Sequence, residues 1–308
     1  MLTNFSNGIS SFGIPVLGSG TVPTATGTYY WVDGTNGLAG NDGLTKNTAV
    51  ATIKAGVDLA TKDGDVVLVM PGTYTEAAVT ASVAGIRIIG LGTRAKEVIW
   101  TSATDVKSLT LAANNIEVAG FYFKPPVYTA SASVTSIALS SANYAYIHDN
   151  QFQGQTGSYN AIYSAVCNSD NVTIANNEFM YMNTLTYGAA ILGLEAGGLS
   201  YSGWNIVNNI FNSCVTSVNI NGRVCYVAGN TFSVAGITAL SAGGTVCTLS
   251  LDLSGTSSYG NMVHGNYLAG AYTATLYKVG AAGDDWSGNF AIGGGTGVAA
   301  GVTTANPA

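Results

Sequence analysis

A hexapeptide that recurs eight times constrains this chain more than any other feature. The copies are IIGLGT (88–93), VAGFYF (118–123), IHDNQF (147–152), IANNEF (174–179), IVNNIF (206–211), VAGNTF (227–232), VHGNYL (263–268) and WSGNFA (286–291). The third position is always Gly, Asn or Asp: Gly90, Gly120, Asp149, Asn176, Asn208, Gly229, Gly265 and Gly288. These residue types enter the left-handed backbone region at low cost, so an unbroken column of them predicts the same turn in every copy. The fourth position is Asn in six copies (Asn150, Asn177, Asn209, Asn230, Asn266 and Asn289). Stacked at about 4.8 Å per rung, these side chains are expected to bond to one another as a ladder. Positions one and six are Val, Ile, Trp, Phe or Leu in nearly every copy and supply interior stacks. The successive spacings are 30, 29, 27, 32, 21, 36 and 23 residues. A repeat of this period is the signature of a solenoid, here an all-β, right-handed, single-stranded parallel β-helix over 77–291. The uneven spacing assigns insertions to loops at 124–135, 181–203 and 233–248.

Ahead of the repeat, residues 27–76 are expected to form an N-terminal cap and first coil. Thr52 is placed to cap a short helix with Ile53, Val57 and Ala60 on one face and Gly64 just past its end. The apolar run Val66 to Met70, closed by Pro71-Gly72, reads as a strand buried on both faces. Residues 1–26 carry isolated Phe5, Ile9, Phe12, Ile14, Val16 and Leu17 among Gly, Ser, Thr and Pro, without a sustained period. An apolar segment that cannot fold alone is expected to dock, and these six residues are the expected anchor. Packing along the domain's own flank is the alternative. The charge-free segment 292–308 reads as a flexible or partner-bound tail.

Only 10 basic and 16 acidic residues occur among 308, for a net charge of −6. A surface so poor in charge is expected to be partly covered by partners. The absence of a Lys/Arg cluster argues against nucleic-acid binding, which rests on phosphate neutralisation. No apolar run approaches 18 residues and no signal-peptide order is seen, so neither membrane insertion nor export is expected. Cys167, Cys214, Cys225 and Cys247 lack metal-ligand spacing and read as buried free thiols.

The stretch from Tyr29 to Glu76, followed by coils such as 116–123 and 172–179, resembles the pectate-lyase-like β-helix superfamily over residues 28–290. That superfamily includes polysaccharide lyases, glycoside hydrolases and phage tailspikes, so the resemblance implies fold more than function. Residues 7–20 look like the short leader of some tailed-phage virion proteins. The resemblance implies a virion setting reached from the host cytoplasm, a homotrimer, a capsid or tail protein bound through residues 1–26, and a host-surface glycan as a further partner.

An enzyme of this fold needs paired carboxylates or Ca²⁺-binding carboxylates with a strong base beside them. Gly283-Asp284-Asp285 resembles the Gly-Asp-Asp element of polygalacturonases, and His264-Gly265 a fragment of their Gly-His-Gly element. The order is inverted relative to that family and its other elements are missing, so Asp284 and Asp285 are expected in a solvated turn. His148 and His264 share position two of their repeats but lie four coils apart, about 19 Å, too far to act on one bond. Arg223 shares the register of Asp170 two coils away, and Asp149 and Glu178 do not converge on a metal site. Neither cofactor nor metal is expected. Tyr122, Tyr128, Tyr144, Tyr146, Tyr159, Tyr163, Tyr181, Tyr187 and Tyr201 are candidates for stacking on sugars, for an interface or for surface packing. The expected function is a non-enzymatic capsid decoration or head fibre. The alternative is a polysaccharide-degrading lyase or glycoside hydrolase.

Overall fold

The computed structural model describes residues 10–11, 14–15, 26–76, 78–92, 95–102, 107–124, 134–154, 159–182, 189–194, 198–214, 216–233, 249–269, 278–279, 283–292 and 301–303. Strands separated by one repeat pair in parallel, so the chain winds into a right-handed parallel β-helix with three sheets. The first sheet runs from Tyr29–Val32 to Met262–His264 and the second from Gly72–Glu76 to Asn289–Ile292. The third runs from Val79–Ala81 to Lys278–Val279.

Register follows directly from the repeat. Val118, Ile147, Ile174, Ile206, Val227 and Val263 pair in succession in the first sheet and point inward. In the second sheet Phe123, Phe152, Phe179, Phe211 and Phe232 stack with ring centroids 5.0, 5.0, 4.8 and 4.8 Å apart. Their planes lie within 6° of parallel. The strand spacing of about 4.7–4.9 Å falls within the range at which aromatic rings pack, so backbone pairing and side-chain packing are satisfied together.

Two residues join each first-sheet strand to the second sheet from the second copy onward. Gly120, Asp149, Asn176, Asn208, Gly229, Gly265 and Gly288 all have positive φ, between 52° and 82°. Gly90 does not belong to this column, which corrects the sequence expectation. It ends the strand Arg87–Gly90, and the second sheet is entered only at Val98. Glycine is required there by close approach, because a Cβ on Gly90 would lie 2.4 Å from the Gly120 carbonyl oxygen.

From Asp149 onward the next residue in each turn is the buried Asn. The Oδ1 of Asn177 accepts from the main-chain N–H of Asn150 (3.0 Å) and from its Nδ2 (3.2 Å), and Asn177 Nδ2 donates to the Ile147 carbonyl (2.9 Å). The same contacts recur through Asn209, Asn230, Asn266 and Asn289. Each Asn side chain satisfies an N–H and a carbonyl of the preceding coil and donates to the Asn side chain of the next, a necessity where water cannot reach.

A second left-handed column, unforeseen in the sequence, turns the chain from the third sheet back to the first. It comprises Gly64, Gly85, Asn115, Tyr144, Asn171, Gly203, Val224, Gly260 and Gly283. From Gly64 to Val224 their N–H groups bond to carbonyls of the following coil, as Asn115 to Asn143 (2.9 Å) and Tyr144 to Asp170 (2.9 Å).

The helix Ile53–Leu59 closes the N-terminal end, with Ile53, Gly56 and Val57 buried against the first coils. Thr52 accepts from Ala55 N–H, and the Glu76 carboxylate accepts from the Ile53 and Lys54 N–H groups at 2.6 and 2.8 Å. Burial raises the Glu76 pKa despite these bonds. Two parts of the 292–308 segment are described. Ile292 ends the last second-sheet strand, and Gly301–Thr303 returns antiparallel to Asn289–Ala291. Two loop assignments also change. Val134–Leu139 is a third-sheet strand, and 181–203 contains the strands Ile191–Gly193 and Tyr201–Ser202. Of 233–248, Ser233 ends a strand and 234–248 lies outside the described residues.

Candidate functional site

Asp284 is not in a solvated turn. It is buried, and its Oδ1 accepts from the Asn261 N–H (2.8 Å) and Nδ2 (3.0 Å). Asn261 in turn accepts from the Cys225 N–H (2.9 Å), so Asp284 ends a polar stack at the second corner. Asp285 points the other way, is 60% exposed and receives His264 Nε2 at 3.0 Å. One buried in the corner stack and the other turned to solvent, the two carboxylates cannot flank one glycosidic bond.

In the leader, Ser10–Ser11 pairs antiparallel with Ile14–Pro15. Phe5, Ile9, Phe12, Val16 and Leu17 lie outside the described residues, as do Tyr128, Tyr187 and Cys247. Tyr159 and Tyr201 are buried and so do not face ligand. Burial pushes the Cys225 thiol up to about 12, which leaves it unreactive.

The outer face of the first sheet gathers what the sequence left scattered. Arg87, Glu117 and Tyr146 occupy one register position on successive coils. Tyr146 and His148 lie two apart on one strand and therefore share a face, with rings stacked at 3.9 Å and 22°. His148 Nε2 faces Glu117 Oε1 at 3.1 Å, and Nδ1 faces Asp149 Oδ2 at 2.6 Å. Glu117 also pairs with Arg87. Burial alone would lower the His148 pKa, but the hydrogen bonds to Glu117 and Asp149 and their charges outweigh it and raise the value. Burial alone would raise Glu117, but His148 and Arg87 hold its carboxyl below the usual range.

The column continues as Thr173, Asn205, Tyr226 and Met262, with Tyr146 and Tyr226 partly exposed. His264, the repeat equivalent of His148, meets Tyr226 edge-on at 6.3 Å. The cluster was hidden because its members sit at different repeat positions on adjacent coils. Aligning the residue before each hexapeptide would have set Arg87, Glu117 and Tyr146 side by side. Chemically the cluster offers ionised acceptors beside an aromatic platform. Among the described residues no group of three His, Cys, Asp or Glu side chains is arranged to hold a metal ion.

No family model matches this chain, and no curated protein sequence matches it. Among solved structures it is similar to the GH136 lacto-N-biosidase from Eubacterium ramulus, with TM-score 0.57 and 14% identity over 86% of this chain and 56% of that one. It thus spans little more than half of that protein's length. Pectin methylesterase PemA from Erwinia chrysanthemi is similar with TM-score 0.46 and 12% identity, covering 89% of this chain and 91% of that one. The alginate lyase AlyF-OU02 is similar with TM-score 0.43 and 15% identity, covering 79% and 58%. None of the three is named as a virion protein. At 14% identity the likeness to the lacto-N-biosidase is one of fold.

Proposed function

We propose that the protein recognises a neutral glycan along the outer face of its first sheet, over Tyr146 and Tyr226, without cleaving it. The observation that carries this is the register column Tyr146, Thr173, Asn205 and Tyr226. Two partly exposed aromatic rings stand three rungs apart, about 14 Å, with a hydroxyl and a carboxamide between them. An apolar platform with a few placed polar groups is what a sugar ring requires, since it has an apolar face and a hydroxylated rim. A polyuronate would need basic side chains. The first sheet's described outer face presents Arg87, already paired with Glu117, and the protein's net charge is −6.

The chemistry of the cluster also argues for binding over hydrolysis. A general acid must hold a proton and present it to the substrate, whereas the Glu117 carboxyl is held below its usual range and both His148 nitrogens are directed at carboxylates. Carbohydrate as the ligand class is supported by analogy with the lacto-N-biosidase, at the level of fold. A homotrimer docked on a virion through residues 1–26 draws no support from the structural neighbours, and the glycan-face proposal stands independently of it.

The test is calorimetric titration of the full chain with neutral and acidic polysaccharides, with chain length followed by size exclusion. Neutral chains are expected to bind, and Tyr146→Ala and Tyr226→Ala to weaken binding strongly. Failure to bind any neutral chain, or binding unmoved by both substitutions, overturns the proposal. Reproducible depolymerisation establishes the degrading alternative instead.

A further inference from the structure

We propose that His148 is a pH-gated positioning residue, whose imidazolium, clamped between Glu117 and Asp149, holds the Tyr146 ring in place on the outer face of the first sheet. The glycan consequence rests on the function proposed above, whereas the positioning itself does not. The geometry is specific to the doubly protonated ring. Each nitrogen faces a carboxylate oxygen, Nε2 at 3.1 Å and Nδ1 at 2.6 Å, and only an imidazolium can donate to both. Tyr146 lies against this ring at 3.9 Å and 22°, so its orientation depends on a ring restrained at both ends.

Every charged group facing His148 can be named. Glu117 comes from the preceding coil, Arg87 acts through Glu117 from the coil before that, and Asp149 follows His148 in its own turn. On the other side the strand Thr173–Ala175 contributes no ionisable group. Loss of one proton leaves a nitrogen lone pair against a carboxylate. Glu117 is retained by Arg87, whereas Asp149 is 61% exposed and can turn to water, so the Asp149 contact is the one that breaks. One restraint on the ring is lost, and Tyr146 is released from its fixed angle. The raised His148 pKa places this release above the ordinary histidine value of about 6.5. His264 serves as an internal comparison, because its strand carries Met262 where Tyr146 stands and its ring has no stacked partner on that strand.

The experiment is NMR on the full chain with labelled histidine and tyrosine, titrated between pH 5 and 9. Only two histidines occur, so His148→Gln and His264→Gln assign both imidazoles. The Tyr146 ring resonances are expected to move with the His148 midpoint, and Glu117→Gln to shift that midpoint downward. In His148→Gln the Tyr146 titration disappears. Tyr146 resonances that do not follow His148, or that titrate unchanged in His148→Gln, overturn the inference. In a parallel arm, affinity for a neutral polysaccharide is expected to fall several-fold through the same midpoint in the parent protein and to stay flat in His148→Gln. Binding that is independent of the His148 midpoint overturns the gating. If no glycan binds at any pH, the function proposal fails while the NMR arm still decides the positioning.

Discussion

Replacing Asn209 by alanine isolates what the buried ladder contributes. Asn209 Oδ1 accepts from the Asn177 N–H (2.9 Å) and Nδ2 (3.1 Å), while its Nδ2 donates to the Ile174 carbonyl (2.9 Å) and Asn230 Oδ1 (3.1 Å). Asn177, Asn209 and Asn230 are each 1% exposed, so water cannot replace these partners. Not every contact becomes an orphan. Asn177 Nδ2 keeps the Ile147 carbonyl, and Asn230 Oδ1 keeps the Asn209 main-chain N–H. The Asn177 N–H loses its Oδ1 acceptor and the Ile174 carbonyl loses a donor. At roughly 1–3 kcal/mol for each of the two buried groups left short of a partner, Asn209→Ala should cost about 2–6 kcal/mol. Asn205→Ala is the control, since Asn205 lies half-buried on the outer face with a marginal 3.5 Å bond to the Gly203 carbonyl. It should cost no more than about 0.5 kcal/mol. Equilibrium urea unfolding followed by circular dichroism gives the difference, provided the slope m is unchanged. Coils of a solenoid touch only their neighbours and can open in segments, so hydrogen exchange at Asn177 should accompany it. An Asn209→Ala protein within about 1 kcal/mol of Asn205→Ala, with Asn177 still protected, would refute the ladder as a source of stability.

Phe179 lies between Phe152 at 5.0 Å and Phe211 at 4.8 Å, and Phe179→Ala should cost about 3–5 kcal/mol in the same assay. Val224 is a β-branched residue at φ +53° and is half exposed, so Val224→Gly should be neutral or stabilising by up to about 1 kcal/mol in thermal unfolding. Asp284→Ala strips Asn261 of an acceptor and should cost about 1–3 kcal/mol, whereas Asp285→Ala should leave the unfolding midpoint nearly unchanged. The Arg87–Glu117–His148 network should stabilise most between about pH 4.5 and 6.5. Glu117, with a lowered pKa, contributes above its unfolded value of about 4.3 and loses the contribution as pH falls through its folded value. His148, with a raised pKa, contributes fully below about 6.5 and loses the contribution as pH rises through its folded value. His148→Gln should therefore flatten the alkaline side of a stability–pH profile.

The first corner was legible because its demands fall on few residue types. A buried turn that repeats needs Gly, Asn or Asp at the left-handed position and a carboxamide beside it, and those letters recur in the sequence. The second corner was not. Its left-handed positions include Tyr144 and Val224, whose side chains do not announce positive φ. The surrounding coils hold them there through carbonyls such as those of Asp170 and Tyr259. Gly90 shows the converse, a repeat letter serving a different need, since the Gly120 carbonyl requires room there.

By itself, then, the sequence determined the period, the inward stacks and the Asn column, because each is a local requirement met again on every coil. What only the tertiary structure decided is what the outer face presents. Arg87, Glu117 and His148 are 30 and 31 residues apart along the chain; the first two share a register with Tyr146, and His148, two residues further along that strand, turns to meet Glu117. Side chains on that face are not constrained by burial, so the repeat aligns their positions but no recurring residue type marks them. The repeat sets which coils lie side by side, but which of these side chains turn toward one another is decided only in the fold.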